Sequence, residues 1–194
     1  MPIEPDNYPG TQVYINKLGI TVAKTLAEAE ATLTWARTEQ YRDTPSPTGF
    51  DLSHLQHIHH HLFQDVYAWA GQLRSYDVKK QDCIFTPAAD IERYAHQIYT
   101  QLADEGYLQG LARSAFLERL AYYYDMTNRL HPFPEGNGRT QRLFIEDLAA
   151  LNDMLIDWAE VNSWEIIETA IQAFYGNREP IYRMLDRIIS PLSN

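Results

Sequence analysis

A mainly α-helical protein, one helical domain carrying a single short β-hairpin, is the fold class this sequence predicts. Three observations carry that prediction. Apolar residues recur at helical spacing through most of the chain. Helix-start signals precede several of those runs. Only one stretch, SYDVKKQDCIFT at 75–86, has the character of two short strands around a polar turn.

In chain order, residues 1–22 are rich in proline and polar groups and read as an irregular arm ahead of a domain at 23–190. Thr25–Tyr41 carries Leu26, Ala29, Leu33 and Ala36 at helical spacing. DTPSPTG (43–49) is a loop by its proline and glycine content. Asp51 is placed to cap a helix reaching about Ala70, with Leu55, Ile58, Leu62, Val66 and Trp69 on one face and Gly71 as its stop. The hairpin pairs Ser75–Val78 with Cys83–Thr86. Pro87 opens a helix to about Leu102, and a further helix covers Ser114–Arg129. His131–Gly138 is irregular and leads into a helix over Arg139–Leu151, with Phe144, Leu148 and Leu151 inward. Asn162-Ser163-Trp164-Glu165 has capping-box spacing and starts a helix that stops near Gly176. Pro180, favoured in a first turn, suits a last helix to about Ile189. No repeat, low-complexity tract or linker interrupts this order.

Composition narrows the functional classes. The formal net charge of −10 disfavours direct binding to a nucleic-acid backbone, which needs clustered cations. The one cysteine, Cys83, excludes an internal disulfide framework and a cysteine-ligated metal. The N-terminus lacks a basic and apolar leader, and no run approaches the roughly 18 apolar residues of a membrane span. A cytoplasmic protein without membrane contact is the expectation.

HPFPEGNGRTQR, His131–Arg142, concentrates the chemistry at the mouth of a helix. First-turn amides have no internal acceptor and, with the helix dipole, form an anion site. Gly136 and Gly138 flank Asn137 and let backbone approach a ligand closely. Arg139 and Arg142, three apart, offer forked donors that match phosphate. Glu135 beside phosphates is repulsive unless a cation intervenes, and Mg²⁺ takes one or two carboxylates plus substrate phosphates. His131, with an ordinary pKa near 6.5, can accept a proton from a hydroxyl. Together these point to transfer of part of a nucleotide to an alcohol. The Walker spacing of a P-loop is missing.

A second stretch invites a metal reading. HIHHH presents His57, His59, His60 and His61, with His57 and His61 at i, i+4. Structural zinc wants four ligands and catalytic zinc three plus water, and no H-E-x-x-H is present. Surface or interface histidines on an amphipathic helix are the expectation, with a zinc hydrolase as rival.

The stretch 131–142 resembles the signature of the Fic family, H-P-F-x-[DE]-G-N-G-R-x-x-R, at every fixed position. LFQDVYAWAG (62–71) is similar to the helix end before that family's flap hairpin. The resemblance covers most of residues 50–190. It implies a Fic-type helical domain that transfers AMP from ATP to a protein hydroxyl. By it, His131 deprotonates the target, Phe133 anchors the loop and Glu135 holds Mg²⁺. Gly136, Asn137 and Gly138 cradle phosphate with Arg139, and Arg142 reaches the terminal phosphate. Ile84 and Phe85 lie on a flap whose edge pairs with the target by β-addition. Tyr175 and Asn177, in Phe174-Tyr175-Gly176-Asn177, fall where relatives complete the adenine pocket.

Many Fic proteins also carry [ST]-x-x-x-E-[GN], whose glutamate blocks the second motif arginine. Glu105-Gly106 is preceded four residues earlier by Gln101, and Glu135-Gly136 by His131, so neither fits. A full motif without its own brake resembles the toxin class, held by a small antitoxin that supplies the glutamate in trans. The class resemblance implies a type II topoisomerase ATPase subunit as target, through a tyrosine. Transfer of another phosphate-linked group and a non-catalytic nucleotide-binding module are the alternatives.

Overall fold

The computed structural model describes residues 2–44, 49–80 and 83–192. Among these, seven α-helices dominate: α1 (Ala23–Arg42), α2 (Leu52–Phe63), α3 (Ile91–Asp104), α4 (Arg113–Leu130), α5 (Asn137–Ala150), α6 (Ser163–Phe174) and α7 (Glu179–Ile188). Two antiparallel pairs complete the fold: β1 (Lys79–Lys80) with β2 (Cys83–Ile84), and β3 (Met154–Ile156) with β4 (Ile189–Pro191). The helical prediction with one hairpin therefore holds, with a second small ladder added.

The caps anticipated from sequence form. The Asp51 carboxylate accepts from the His54 N–H at 2.9 Å, and the Asn162 side chain accepts from the Glu165 N–H at 2.9 Å. The capping box is half-formed, because the Glu165 carboxylate goes to Arg187 at 2.8 Å. Pro180 stands in the first turn of α7.

Four expectations need correction. The α1 face turned inward carries Leu26, Glu30, Thr34 and Tyr41, while Ala36 is exposed, because polar groups of α5 wait opposite. The second helix stops at Phe63 rather than Ala70. Beyond it Val66 and Trp69 stay buried, but their backbone turns so that Gly71 N–H can donate to His59 Nδ1 at 2.8 Å and the arm's Lys17 N–H to Val66 O at 2.8 Å. The hairpin ladder is Lys79–Lys80 against Cys83–Ile84, and Ser75 instead donates its N–H to Ile3 O in the arm at 2.8 Å. Lys79 and Lys80, expected in the turn, are thus the strand. The β3–β4 pairing joins segments far apart in sequence, Met154 opposite Pro191 and Ile156 opposite Ile189. Residues 45–48 of the DTPSPTG loop and Gln81 and Asp82 of the hairpin turn lie outside the described residues.

The arm remains irregular yet is pinned along the 66–75 segment, and Asn16 closes it by accepting from Ile20 N–H and donating to Tyr14 O and Ile20 O. Helices α4 and α5 form the central pair. Helix α2 packs on α5, and α3, α6 and α7 pack on α4. The α4–α5 junction, residues 131–136, is therefore walled by helices on several sides. No described helix is long and apolar enough to cross a membrane.

Phe144 of α5 sits at the centre of this core. It is fully buried and edge-on to Phe50 and His54 at 5.5 and 5.4 Å between ring centroids. Phe144→Ala is expected to destabilise the fold by about 3–5 kcal/mol, read from urea unfolding midpoints.

Candidate active site

The α4–α5 junction is built from unusual backbone. His131 caps α4 in the left-handed region, at φ +42°, and Gly136 caps α5 at φ +81°. At Gly136 an added Cβ would lie 2.3 Å from Phe63 Cζ, so a side chain is excluded by both conformation and space. Between them the Asn137 carboxamide does the work of a backbone pair. It accepts from Phe133 N–H at 2.9 Å and donates to Phe133 O at 2.8 Å.

Phe133 is fully buried and stacks on His59 at 3.9 Å. His59 Nδ1 accepts from Gly71 N–H, so the ring proton sits on Nε2, which donates to Glu135 O at 3.0 Å. Burial pushes the His59 pKa down to about 3, and the neutral ring is a structural strut. This corrects the expectation of surface histidines at His59, whereas His57 and His60 are exposed as expected. His60 Nδ1 meets Ala70 O and His61 Nε2 meets Arg37 O, each at 3.0–3.1 Å. These contacts occupy ring nitrogens that zinc would need, and no cluster of three or more metal-binding side chains occurs among the described residues.

His131 is buried and stacks on Phe85 of the flap at 3.8 Å. Burial, with the Lys80 and Arg74 charges beside it, pushes its pKa down to about 3. The Asn128 carbonyl favours the charged ring but does not offset this. Its Nδ1 has no hydrogen-bond partner. The neutral imidazole can accept a proton. Arg74, fully buried, fixes the peptide around it: Nε donates to His131 O at 2.8 Å, while the other nitrogens reach Tyr76 O and Thr86 O. Arg74 thus ties the flap to the loop. Sequence reasoning missed the interior roles of both Arg74 and His59, because nothing in composition marks a lone arginine or one of the four histidines in HIHHH as interior.

The first turn of α5 is open. The amides of Asn137, Gly138 and Arg139 have no acceptor among the described residues, whereas Thr140 N–H already bonds Gly136 O. The Gly136 amide is taken by Glu135 Oε1 at 2.8 Å. Arg142 lies beside Gly138, where an added Cβ would be 3.6 Å from its Nη1. Burial first, and also the like charge of Arg139, hold the Arg142 pKa below the usual guanidinium value, against the smaller opposing effect of Tyr124. No hydrogen bond or close ion pair holds it among the described residues, since Glu146 reaches to Arg42 instead. Arg139 differs, being paired with Glu30 at 2.5 Å. Glu135, half-exposed at the lip, is a single carboxylate and suits a cation that takes its other ligands from phosphate and water.

A cavity of about 300 Å³ opens beside these groups, lined by His131, Gly138, Phe85, Tyr124, Ile171 and Phe174. Of the two proposed adenine-side residues, neither Tyr175 nor Asn177 lines it. Tyr175 is 66% exposed, and the Asn177 side chain is spent on Glu179 N–H and Gln172. Phe174, one residue earlier, faces the cavity because α6 ends there, with Arg129 holding the Ala173 and Phe174 carbonyls. The two flap residues also divide. Ile84 is 65% exposed and available to a partner, whereas Phe85 is buried against His131.

A neutral imidazole, three amides and a guanidinium without acceptors among the described residues, and the Glu135 carboxylate thus converge beside a mostly apolar cavity. The Fic/DOC family model matches residues 49–149. The chain is 42% identical to a probable protein adenylyltransferase Fic of Salmonella typhimurium, over 84% of this chain and 81% of that one. It is 40% identical to protein adenylyltransferase VbhT of Bartonella schoenbuchensis over 95% of its length, but spans only 38% of that relative. A crystal structure of BepC from Bartonella tribocorum with bound AMPPNP superposes with a TM-score of 0.90 at 27% identity, covering 96% of this chain and 97% of that one.

Gly136→Ala tests the junction. The strain of a non-glycine residue at this φ, on the order of 1–3 kcal/mol, adds to displacement of Phe63. The expected result is a lower unfolding midpoint together with loss of nucleotide binding, checked by urea denaturation and calorimetric titration.

Proposed function

Because the chain belongs to the Fic/DOC family, we propose that it is a protein adenylyltransferase, an enzyme that moves AMP from ATP to a hydroxyl side chain of another protein. The observation that carries this is the neutral His131 beside the open first turn of α5. The target oxygen bonds to the α-phosphorus, the bond from that phosphorus to the β-phosphate bridge breaks, pyrophosphate leaves, and the hydroxyl proton passes to the His131 imidazole. The amides of Asn137 and Gly138 receive phosphate oxygens. Arg139 and Arg142 balance the triphosphate charge, with Arg142 toward its far end. Phe133 holds the loop through its packing on His59. Glu135 would hold Mg²⁺, which when bound supplies neutralisation of phosphate charge. The 300 Å³ cavity takes the nucleoside, with Phe174 rather than Tyr175 at its wall. The target lies along the flap, where Ile84 points outward.

Two features support a finer reading as the toxin of a toxin–antitoxin pair. No [ST]-x-x-x-E-[GN] segment exists, and Arg142 lacks a carboxylate partner among the described residues. A small antitoxin would supply that carboxylate in trans. The resemblance to this class puts a type II topoisomerase ATPase subunit first among candidate targets, with the reaction in the cytoplasm.

The test uses bacterial lysate, Mg²⁺ and ATP labelled at the α- or the γ-phosphate. A protein band labelled from α-ATP alone is expected, and His131→Ala should lower its rate by about 10²–10⁴. Label from γ-ATP would overturn AMP transfer in favour of a phosphotransferase, and absence of label with purified topoisomerase subunits would overturn the target.

The His131 pKa fixes the pH profile. A base whose pKa in the folded, free enzyme is about 3 is already deprotonated throughout the neutral range. The kcat/KM profile should therefore show no acid limb near the ordinary histidine value of about 6.5. Initial rates between about pH 5.5 and 8 check this, and a limb centred near 6.5 that disappears in His131→Ala would contradict the buried, neutral state.

A further inference from the structure

The two motif arginines stand three residues apart on α5 but live in different surroundings. Arg142 has no hydrogen-bond or ion-pair partner among the described residues, whereas Arg139 is held from several directions. Its Nη2 donates to Glu30 Oε1 at 2.5 Å, its Nη1 lies 3.4 Å from Thr34 Oγ1, and its guanidinium lies over the Phe63 ring at 4.7 Å. Glu135 is 3.8 Å away on the site side. Glu30 belongs to α1, outside the 131–142 motif, and its side chain is only 10% exposed. Its second oxygen is fixed by the Tyr67 hydroxyl, whose pKa burial and the Glu30 carboxylate push far above the ordinary tyrosine value.

We propose that Glu30 is a positioning residue for nucleotide binding, braced by Tyr67 and acting through Arg139. The inference rests on the ATP-site reading above and deepens it. A free arginine at a helix mouth must be ordered when phosphate arrives, at a cost in side-chain entropy. Glu30 meets that cost in advance. It takes Nη2, Thr34 takes Nη1 and Phe63 takes one face, so the guanidinium is held in one orientation beside the first turn of α5. Phe63 also sets the clearance at Gly136, so the socket for Arg139 and the phosphate cradle share one wall.

The charge effect alone predicts the opposite sign. Glu30 is a negative group near a site for a polyanion, so removing its charge without a positioning role would tighten ATP binding. That contrast makes the proposal testable by a double-mutant cycle on Mg²⁺–AMPPNP affinity, measured by calorimetric titration of the full chain. Glu30→Gln keeps the shape and is expected to weaken binding about tenfold, and this loss should vanish in an Arg139→Ala background. Tyr67→Phe, which deletes a single hydroxyl, should weaken binding about two- to fivefold, again only when Arg139 is present. This second variant carries the test if Glu30→Gln does not fold. Unchanged or tighter binding in both variants would overturn the proposal. An equal loss with and without Arg139 would also overturn it, by assigning Glu30 to α1 packing. Wild type that binds no adenine nucleotide would overturn the ATP-site reading and this inference with it.

Discussion

Closure of the junction by the Asn137 carboxamide is the interaction on which the rest of the site depends. Residues 133–137 cannot make helix or sheet bonds among themselves, so one side chain imitates backbone by donating to and accepting from Phe133. The closed turn drives the Phe133 ring onto His59 and brings the Glu135 carbonyl to the other side of the same imidazole. Only then does α5 start with its amides open and its N-terminus aimed at the cavity. A histidine that turns neither to solvent nor to metal is therefore the floor of the site. Its identity matters because a neutral imidazole offers one acceptor and one donor in fixed directions, and here Gly71 N–H and Glu135 O use both.

The electrostatics follow from what is buried next to what. Arg74 is enclosed without a carboxylate, and its charge is satisfied by three carbonyls. That arrangement anchors the hairpin and the 131–136 loop together, and it also disfavours a second cation at His131. Desolvation of the imidazole acts in the same direction. The imidazole is kept uncharged by the contacts that hold it in place. Phe85 completes the enclosure from the flap side, so the hairpin shields His131 with one residue and presents Ile84 outward with the previous one.

Much of this was legible in the sequence, and what was not has definable causes. The helices were readable because apolar periodicity and caps such as Asp51 and Asn162 are local signals. The motif was readable because its residues are contiguous. Three kinds of feature were hidden. Tertiary bonds ended α2 at Phe63 although its apolar pattern runs on to Trp69. The β3–β4 ladder needs two short segments, one containing Pro191, to meet across about 35 residues, which no local pattern encodes. Polar residues with interior duties, Glu30, His59 and Arg74, look like surface residues until their partners are known. Tyr175 and Asn177 failed at the cavity for a related reason: the C-terminal turn of α6 decides which of four consecutive residues faces inward, and it selects Phe174.

The contrast between Arg139 and Arg142 joins these strands. Two guanidinium groups three residues apart would repel each other and bind any available anion if both were free. The fold pairs one with a carboxylate from α1 and leaves the other partly buried, with no partner among the described residues. A buried cation without an acceptor is unfavourable, and that deficit is relieved only when a negative group arrives. Under the function proposed above, that relief would come from a terminal phosphate or from a carboxylate on another chain. The difference in readiness for an anion thus lies in the fold itself. It follows from how α1 distributes its single buried carboxylate between two otherwise similar arginines.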